Sequence, residues 1–155
     1  MPLTKLPPNT ILLSGRARAT IINDLPIIDT GALPGHFVEK FVSDGVLAFR
    51  KVTSATGMQS KYILLEEDYK NKALTEAYVS GSPAMVAVLE RGMTVWALLP
   101  SGQDITASDY LQQNGDGNLK EATATTAAAN VAHYQALETL GAITTLTRCR
   151  VDVIQ

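Results

Sequence analysis

The stretch that decides the fold runs Met85-Val86-Ala87-Val88-Leu89-Glu90-Arg91-Gly92-Met93-Thr94-Val95-Trp96-Ala97-Leu98-Leu99. Two short runs rich in β-branched and aromatic residues flank a Glu-Arg-Gly turn, the pattern of two strands with a glycine free to take a positive φ. The runs are therefore expected to be adjacent strands of one hairpin. Alternation fails in both. Met85, Ala87 and Leu89 point one way and Val86 and Val88 the other, while Met93, Val95 and Ala97 oppose Trp96 and Leu98. A strand that is apolar on both faces is either sandwiched inside its domain or covered by another copy. The second reading is favoured, which makes Met85, Val86, Val88, Val95, Trp96 and Leu98 the candidate oligomer interface.

Working outward, further strands are expected over 36–42, 46–52, 60–65, 110–112, 118–121 and 146–154, each bounded by Gly, Asn, Asp or Ser. The last alternates cleanly, with Thr147, Cys149, Val151 and Val153 on one face and Arg148, Arg150 and Asp152 on the other. Cys149 thus faces inward, where a thiol has a raised pKa and is a poor nucleophile. Residues 130–140 are expected to form one short helix, on the spacing of Val131, Tyr134, Leu137 and Leu140 and a closing Gly141. The Ala/Thr-rich stretch 122–129 before it reads as a loop. The fold class is mainly β, a small barrel or sandwich with one short helix.

Residues 1–33 have a different texture. They carry Pro2, Pro7, Pro8 and Pro26, with Pro34 at the border, and no acidic residue before Asp24. Proline removes a ladder donor, so such a segment suits an extended arm lying along another subunit. Its alternative is a loose or locally packed terminus. Thr20-Ile21-Ile22 is a possible edge strand, and Lys5, Arg16 and Arg18 make the segment locally positive. The chain divides into an arm at 1–33 and a β-rich domain at 34–155.

Composition narrows the function. The 155 residues carry 13 Lys and Arg against 15 Asp and Glu, a net charge of −2, so the positive field that phosphate binding requires is lacking and no nucleic acid partner is expected. Only 18% of residues are charged while 46% are apolar, which suits a surface partly covered by a partner. No apolar run approaches the roughly 18 residues of a membrane span, so no membrane partner is expected and the chain reads as soluble and made in a cytoplasm. One cysteine and two distant histidines, His36 and His133, are a poor start for a metal site.

Catalytic signatures are equally sparse. Phosphate-loop, nucleophile-elbow and zincin motifs do not occur, and no catalytic residue, cofactor or metal is assigned. Asn114-Gly115-Asp116-Gly117-Asn118 resembles part of a calcium loop but lacks the bidentate glutamate that closes one, so a hairpin turn is expected there. The run Glu66-Glu67-Asp68, near Lys70 and Lys72, reads as a solvated face.

The order of these features resembles the capsid decoration, or cement, proteins of tailed bacteriophages. The resemblance spans roughly residues 31 to 155. It rests on Leu33-Pro34-Gly35-His36-Phe37-Val38, the Met85–Leu99 stretch, Ile105-Thr106-Ala107-Ser108-Asp109-Tyr110-Leu111 leading to Gly115-Asp116-Gly117-Asn118-Leu119, Ala136-Leu137-Glu138, and the closing Arg148-Cys149-Arg150-Val151-Asp152-Val153. It implies a small β-barrel or β-tulip domain that trimerises on the outer surface of the head near threefold positions and clamps the major capsid protein. Pro34-Gly35 would turn the chain into the first barrel strand, and the helix from Asn130 would cap one end. No catalytic residues come with it. Residues 1–33 fall outside the common core and look like a strap, whose capsid-binding residues would be Lys5, Ile11, Leu12, Arg16, Arg18 and Ile21. The competing expectation is a ligand-binding β-barrel module of a phage tail or adhesin, holding a sugar or peptide on its scattered tyrosines and Trp96.

Overall fold

The structure is a computed structural model that describes residues 8–15, 19–55, 59–67, 70, 72–123 and 132–155. The chain is mainly β, as expected. Among the described residues, its strands form two five-stranded antiparallel sheets that do not close into a barrel and give a sandwich-like fold. The first sheet contains β1 (Thr20–Ile22), β2 (Phe37–Ser43), β3 (Val46–Lys51), β4 (Tyr62–Leu64) and β5 (Val86–Val88), in the order β1-β5-β4-β2-β3. In the second, β6 (Thr94–Leu99), β8 (Tyr110–Gln113), β9 (Leu119–Glu121), β10 (Tyr134–Ala136) and β12 (Thr147–Val153) are ordered β6-β12-β10-β8-β9. A two-residue ladder joins β7 (Asp104–Ile105) to β11 (Gly141–Ala142).

The Met85–Leu99 stretch does not form a hairpin. β5 pairs with β1 and β4, whereas β6 pairs with β12, so Glu90-Arg91-Gly92 carries the chain from one sheet to the other. Apolar character on both faces has an internal cause. Between the sheets lies a core that takes Phe37, Ile63 and Ala87 from the first sheet and Val95, Ala97, Leu99, Leu111, Tyr134, Cys149, Val151 and Val153 from the second. Neighbouring residues of the first sheet, Val38, Leu64 and Val86, turn the other way into a second core with Ile27, Ala32, Phe49, Tyr78 and Ala84. Residues 25–32 and 78–84 thus cover the outer face of the first sheet, and period-two alternation feeds both cores. Tyr78 fixes this cover, donating its hydroxyl to the Leu65 carbonyl at 2.8 Å and accepting the Met85 N–H at 3.3 Å.

The expected helix is overturned where it can be seen. Residues 124–131 lie outside the described residues, and Tyr134–Ala136 is a strand between β8 and β12. Tyr134 and Ala136 are buried while Gln135 between them is not, a period of two where three-residue spacing was the expectation. The sheet supplies the reason: β12 and β8 would otherwise leave ladder groups unpaired in the interior. Tyr134 packs on Phe37 with ring centroids 4.8 Å apart and donates its hydroxyl to the Ser60 carbonyl at 2.8 Å.

The N-terminal segment lies against its own domain. Leu12 bridges Val95, the Leu13 N–H donates to the Thr94 carbonyl at 2.9 Å, and the Trp96 N–H donates to the Ile11 carbonyl at 2.8 Å, so residues 11–13 seal the outer edge of β6. Ile11 and Leu12 belong to the core between the sheets. Further on, Pro26 bridges Pro83 and Ile27 bridges Phe49, tying β3 back toward the segment that leads into β5. These prolines sit beside edges, where a missing N–H is tolerated.

Candidate interaction surface

β2 and β3 form the hairpin that reaches beyond the rest of the first sheet. β4 pairs only with Phe37 and Val38 of β2, while β2 and β3 continue pairing out to Ser43 and Val46. The turn is Asp44-Gly45, with φ of 49° and 80°, the two positive values that a tight two-residue hairpin turn demands. At its tip Val42, Val46 and Leu47 are 65%, 59% and 42% exposed, large apolar side chains held in water by a short ribbon. At the ribbon's base Arg50 is anchored by Glu39 at 2.8 Å and lies 4.9 Å over the Phe41 ring. Ile21, Ile28 and Val79 add further exposed apolar side chains on the first sheet and its cover.

The residues expected to bind partners are distributed differently. Lys5, Arg16 and Arg18 lie outside the described residues. Ile11 and Leu12 are buried in the core and are occupied by their own chain, whereas Ile21, on edge strand β1, is exposed. Of the six interface candidates, Val86, Val95 and Leu98 are buried within one chain, and Met85, Val88 and Trp96 are half-buried. The tip residues Val42, Val46 and Leu47 were not singled out by the sequence. Their signal was available: an Asp-Gly turn flanked on both sides by β-branched or aliphatic residues.

The chain matches no family model and no curated protein.

A second region lies beside the N-terminal segment. Glu66 and Glu67, expected on a solvated face, are both buried. Glu66 accepts the Thr10 hydroxyl at 2.5 Å and the Ile11 N–H at 3.0 Å, which ties the segment to the chain that follows β4. Glu67 has Lys70 and Lys72 each 2.7 Å from a carboxylate oxygen. Burial works against its ionisation, but the hydrogen bonds and charges of the two lysines outweigh that cost and hold its carboxyl below the ordinary range. Next to this cluster opens a cleft of about 570 Å³, lined by Pro8, Asn9, Glu66, residues 72–76, Trp96 and Arg148.

The remaining candidates have structural settings. Cys149 is fully buried, and burial, followed by the Glu138 charge, pushes its thiol up to about 12. His36 accepts the Leu33 N–H on Nδ1 at 2.9 Å, and burial, followed by the Lys51 charge, lowers its pKa to about 4. Asp116 accepts the Asn118 N–H at 2.9 Å and the Asn114 amide at 3.1 Å, as a carboxylate that stabilises the β8–β9 hairpin turn. Among the described residues, no three His, Cys, Asp or Glu side chains are grouped as metal ligands would be. No described helix is long and apolar enough to cross a membrane.

Proposed function

We propose that this chain is a non-enzymatic structural protein of a bacteriophage virion, which binds the outer surface of the head as a trimer and cements neighbouring major capsid protein subunits. One observation carries the reading: a short, ion-pair-braced hairpin holds Val42, Val46 and Leu47 in solvent, where they cost free energy unless another surface covers them. The order of sequence features that resembles decoration proteins supplies the identity of that surface. A protein that binds only the assembled lattice stabilises it by mass action, and three hairpins on one trimer act together through effective concentration.

The reading differs from a simple strap, because Ile11 and Leu12 are committed to the core and the contact falls instead to the β2–β3 tip. Cryo-electron microscopy of particles assembled with and without the chain is the test, with density expected on the outer head surface only when the chain is present. A variant carrying Val42→Ser, Val46→Ser and Leu47→Ser should fold as the parent does and fail to co-sediment with heads. Undiminished co-sedimentation would refute the role of the tip, and absence of the chain from particles would refute the function.

A further inference from the structure

β2 stops being an inner strand partway along its length. The His36 carbonyl accepts the Leu64 N–H at 2.9 Å and Val38 pairs with Tyr62, so the even-numbered residues here turn their backbone groups toward β4. Ser43 pairs with Val46 across the Asp44-Gly45 turn, and by alternation Phe41 and Glu39 also bond toward β3, which leaves Lys40 and Val42 facing the β4 side. β4 does not follow them. The Ser60 carbonyl, next in line for the Lys40 N–H, instead accepts the Tyr134 hydroxyl at 2.8 Å and Gln113 Nε2 at 2.6 Å, and the Ser60 N–H donates to Gln113 Oε1 at 2.9 Å. The second sheet thus draws the chain off β2, and among the described residues the N–H and C=O groups of Lys40 and Val42 have no partner on that side.

A cleft of about 510 Å³ opens where β4 departs, with Lys40, Ser60, Lys61 and Tyr62 in its lining. The Lys40 ammonium lies 5.3 Å from the Tyr62 ring centroid, and among the described residues neither Lys40 nor Lys61 has an ion pair. The carboxylate in the lining, Glu39, is taken by Arg50 at 2.8 Å and by the Thr53 hydroxyl at 3.0 Å. An open edge is a template for another strand; lysines beside it oppose a second copy, which brings the same charge, and favour an acidic strand. In such strand addition the backbone bonds supply affinity and the flanking side chains selectivity. We propose that the Lys40–Val42 edge of β2 binds an extended acidic segment of a partner protein as an added strand. This recognition works through backbone and charge and holds independently of shell attachment.

The probe is the peptide acetyl-Val-Glu-Val-Glu-Val-Glu-amide, added to the isotope-labelled full chain and followed by amide NMR. The Lys40 and Val42 amides should exchange freely in the chain alone and slow by at least about tenfold at saturation, with a Kd of about 0.1–1 mM. The counterpart acetyl-Val-Lys-Val-Lys-Val-Lys-amide, and the acidic peptide N-methylated on every amide, should each bind at least about tenfold more weakly, the first through charge and the second through lost donors. Lys40→Glu combined with Lys61→Glu should weaken binding by a similar factor. Val42→Pro removes an outward N–H that no strand uses, and should weaken binding by about fivefold at an unchanged thermal midpoint. Equal binding of the N-methylated peptide, or no slowing at Lys40 and Val42, would overturn the proposal. So would protection of these amides in the chain alone as its concentration rises, which would assign the edge to a second copy. No head is present in the assay, so its failure leaves shell attachment to be decided by co-sedimentation.

Discussion

Deleting residues 1–15 should unfold the domain or leave it barely stable. Ile11 and Leu12 are 0% and 3% exposed, and burying each side chain contributes about 1.5–3 kcal/mol. Three backbone hydrogen bonds to Thr94 and from Trp96 go with them, each worth about 1 kcal/mol net. The loss also strands Glu66, whose carboxylate is buried against Thr10 and Ile11, and uncovers the edge of β6. The total exceeds roughly 5 kcal/mol, comparable with the whole stability of an ordinary domain, about 5–15 kcal/mol. Urea unfolding followed by far-ultraviolet circular dichroism measures it. A graded series keeps the test quantitative if the truncated chain is insoluble: Ile11→Val should cost about 0.5–1.5 kcal/mol and Ile11→Ala about 2–5 kcal/mol. A truncated chain within about 1 kcal/mol of the full one would show that the segment is a detachable strap and that the packing argument is wrong.

Three further outcomes follow from single residues. His36 has its pKa lowered from 6.5 to about 4, so between these values the unfolded chain binds a proton that the folded chain refuses. Stability is then full above pH 6.5 and should fall by roughly 3 kcal/mol as pH drops to 4, a slope that His36→Gln flattens and that pH-dependent denaturant midpoints would reveal. Cys149, with its thiol pushed up to about 12, should resist iodoacetamide in the native protein at pH 8 and react at once in denaturant, as intact mass would record; rapid native labelling would contradict its burial. Gly35 has a φ of 96°, and a Cβ there would stand 3.0 Å from the Trp96 carbonyl oxygen, so Gly35→Ala should cost about 1–3 kcal/mol in thermal unfolding.

Local chemistry was legible in the sequence and partners were not. The inward face of β12, including Cys149, followed from its alternation, and the β8–β9 hairpin turn from Asn114-Gly115-Asp116-Gly117-Asn118. Met85–Leu99 misled because strand pattern does not name the neighbouring strand; the same residues can turn back on themselves or cross to a second sheet. Tyr134–Ala136 misled because the i, i+3 spacing of Tyr134 and Leu137 imitates a helical face, whereas the sheet buries Tyr134 and Ala136 and leaves Leu137 exposed. The burial of Glu66 was invisible, since its partners Thr10 and Ile11 lie 56 and 55 positions away. Exposure at Val42, Val46 and Leu47 depends on how far β4 extends along β2, which no property of the hairpin's own residues reports.

β6 is flanked by residues 11–13 on one side and by β12, residues 147–153, on the other. The earliest-synthesised part of this sheet must therefore stay unpaired until residues 94–99 have emerged, and the sheet gains its central strand later still. Such long sequence separation between contacting strands slows folding. During synthesis the nascent chain carries an unpaired Ile-Leu-Leu stretch until residues 94–99 emerge, so chaperone capture should fall there.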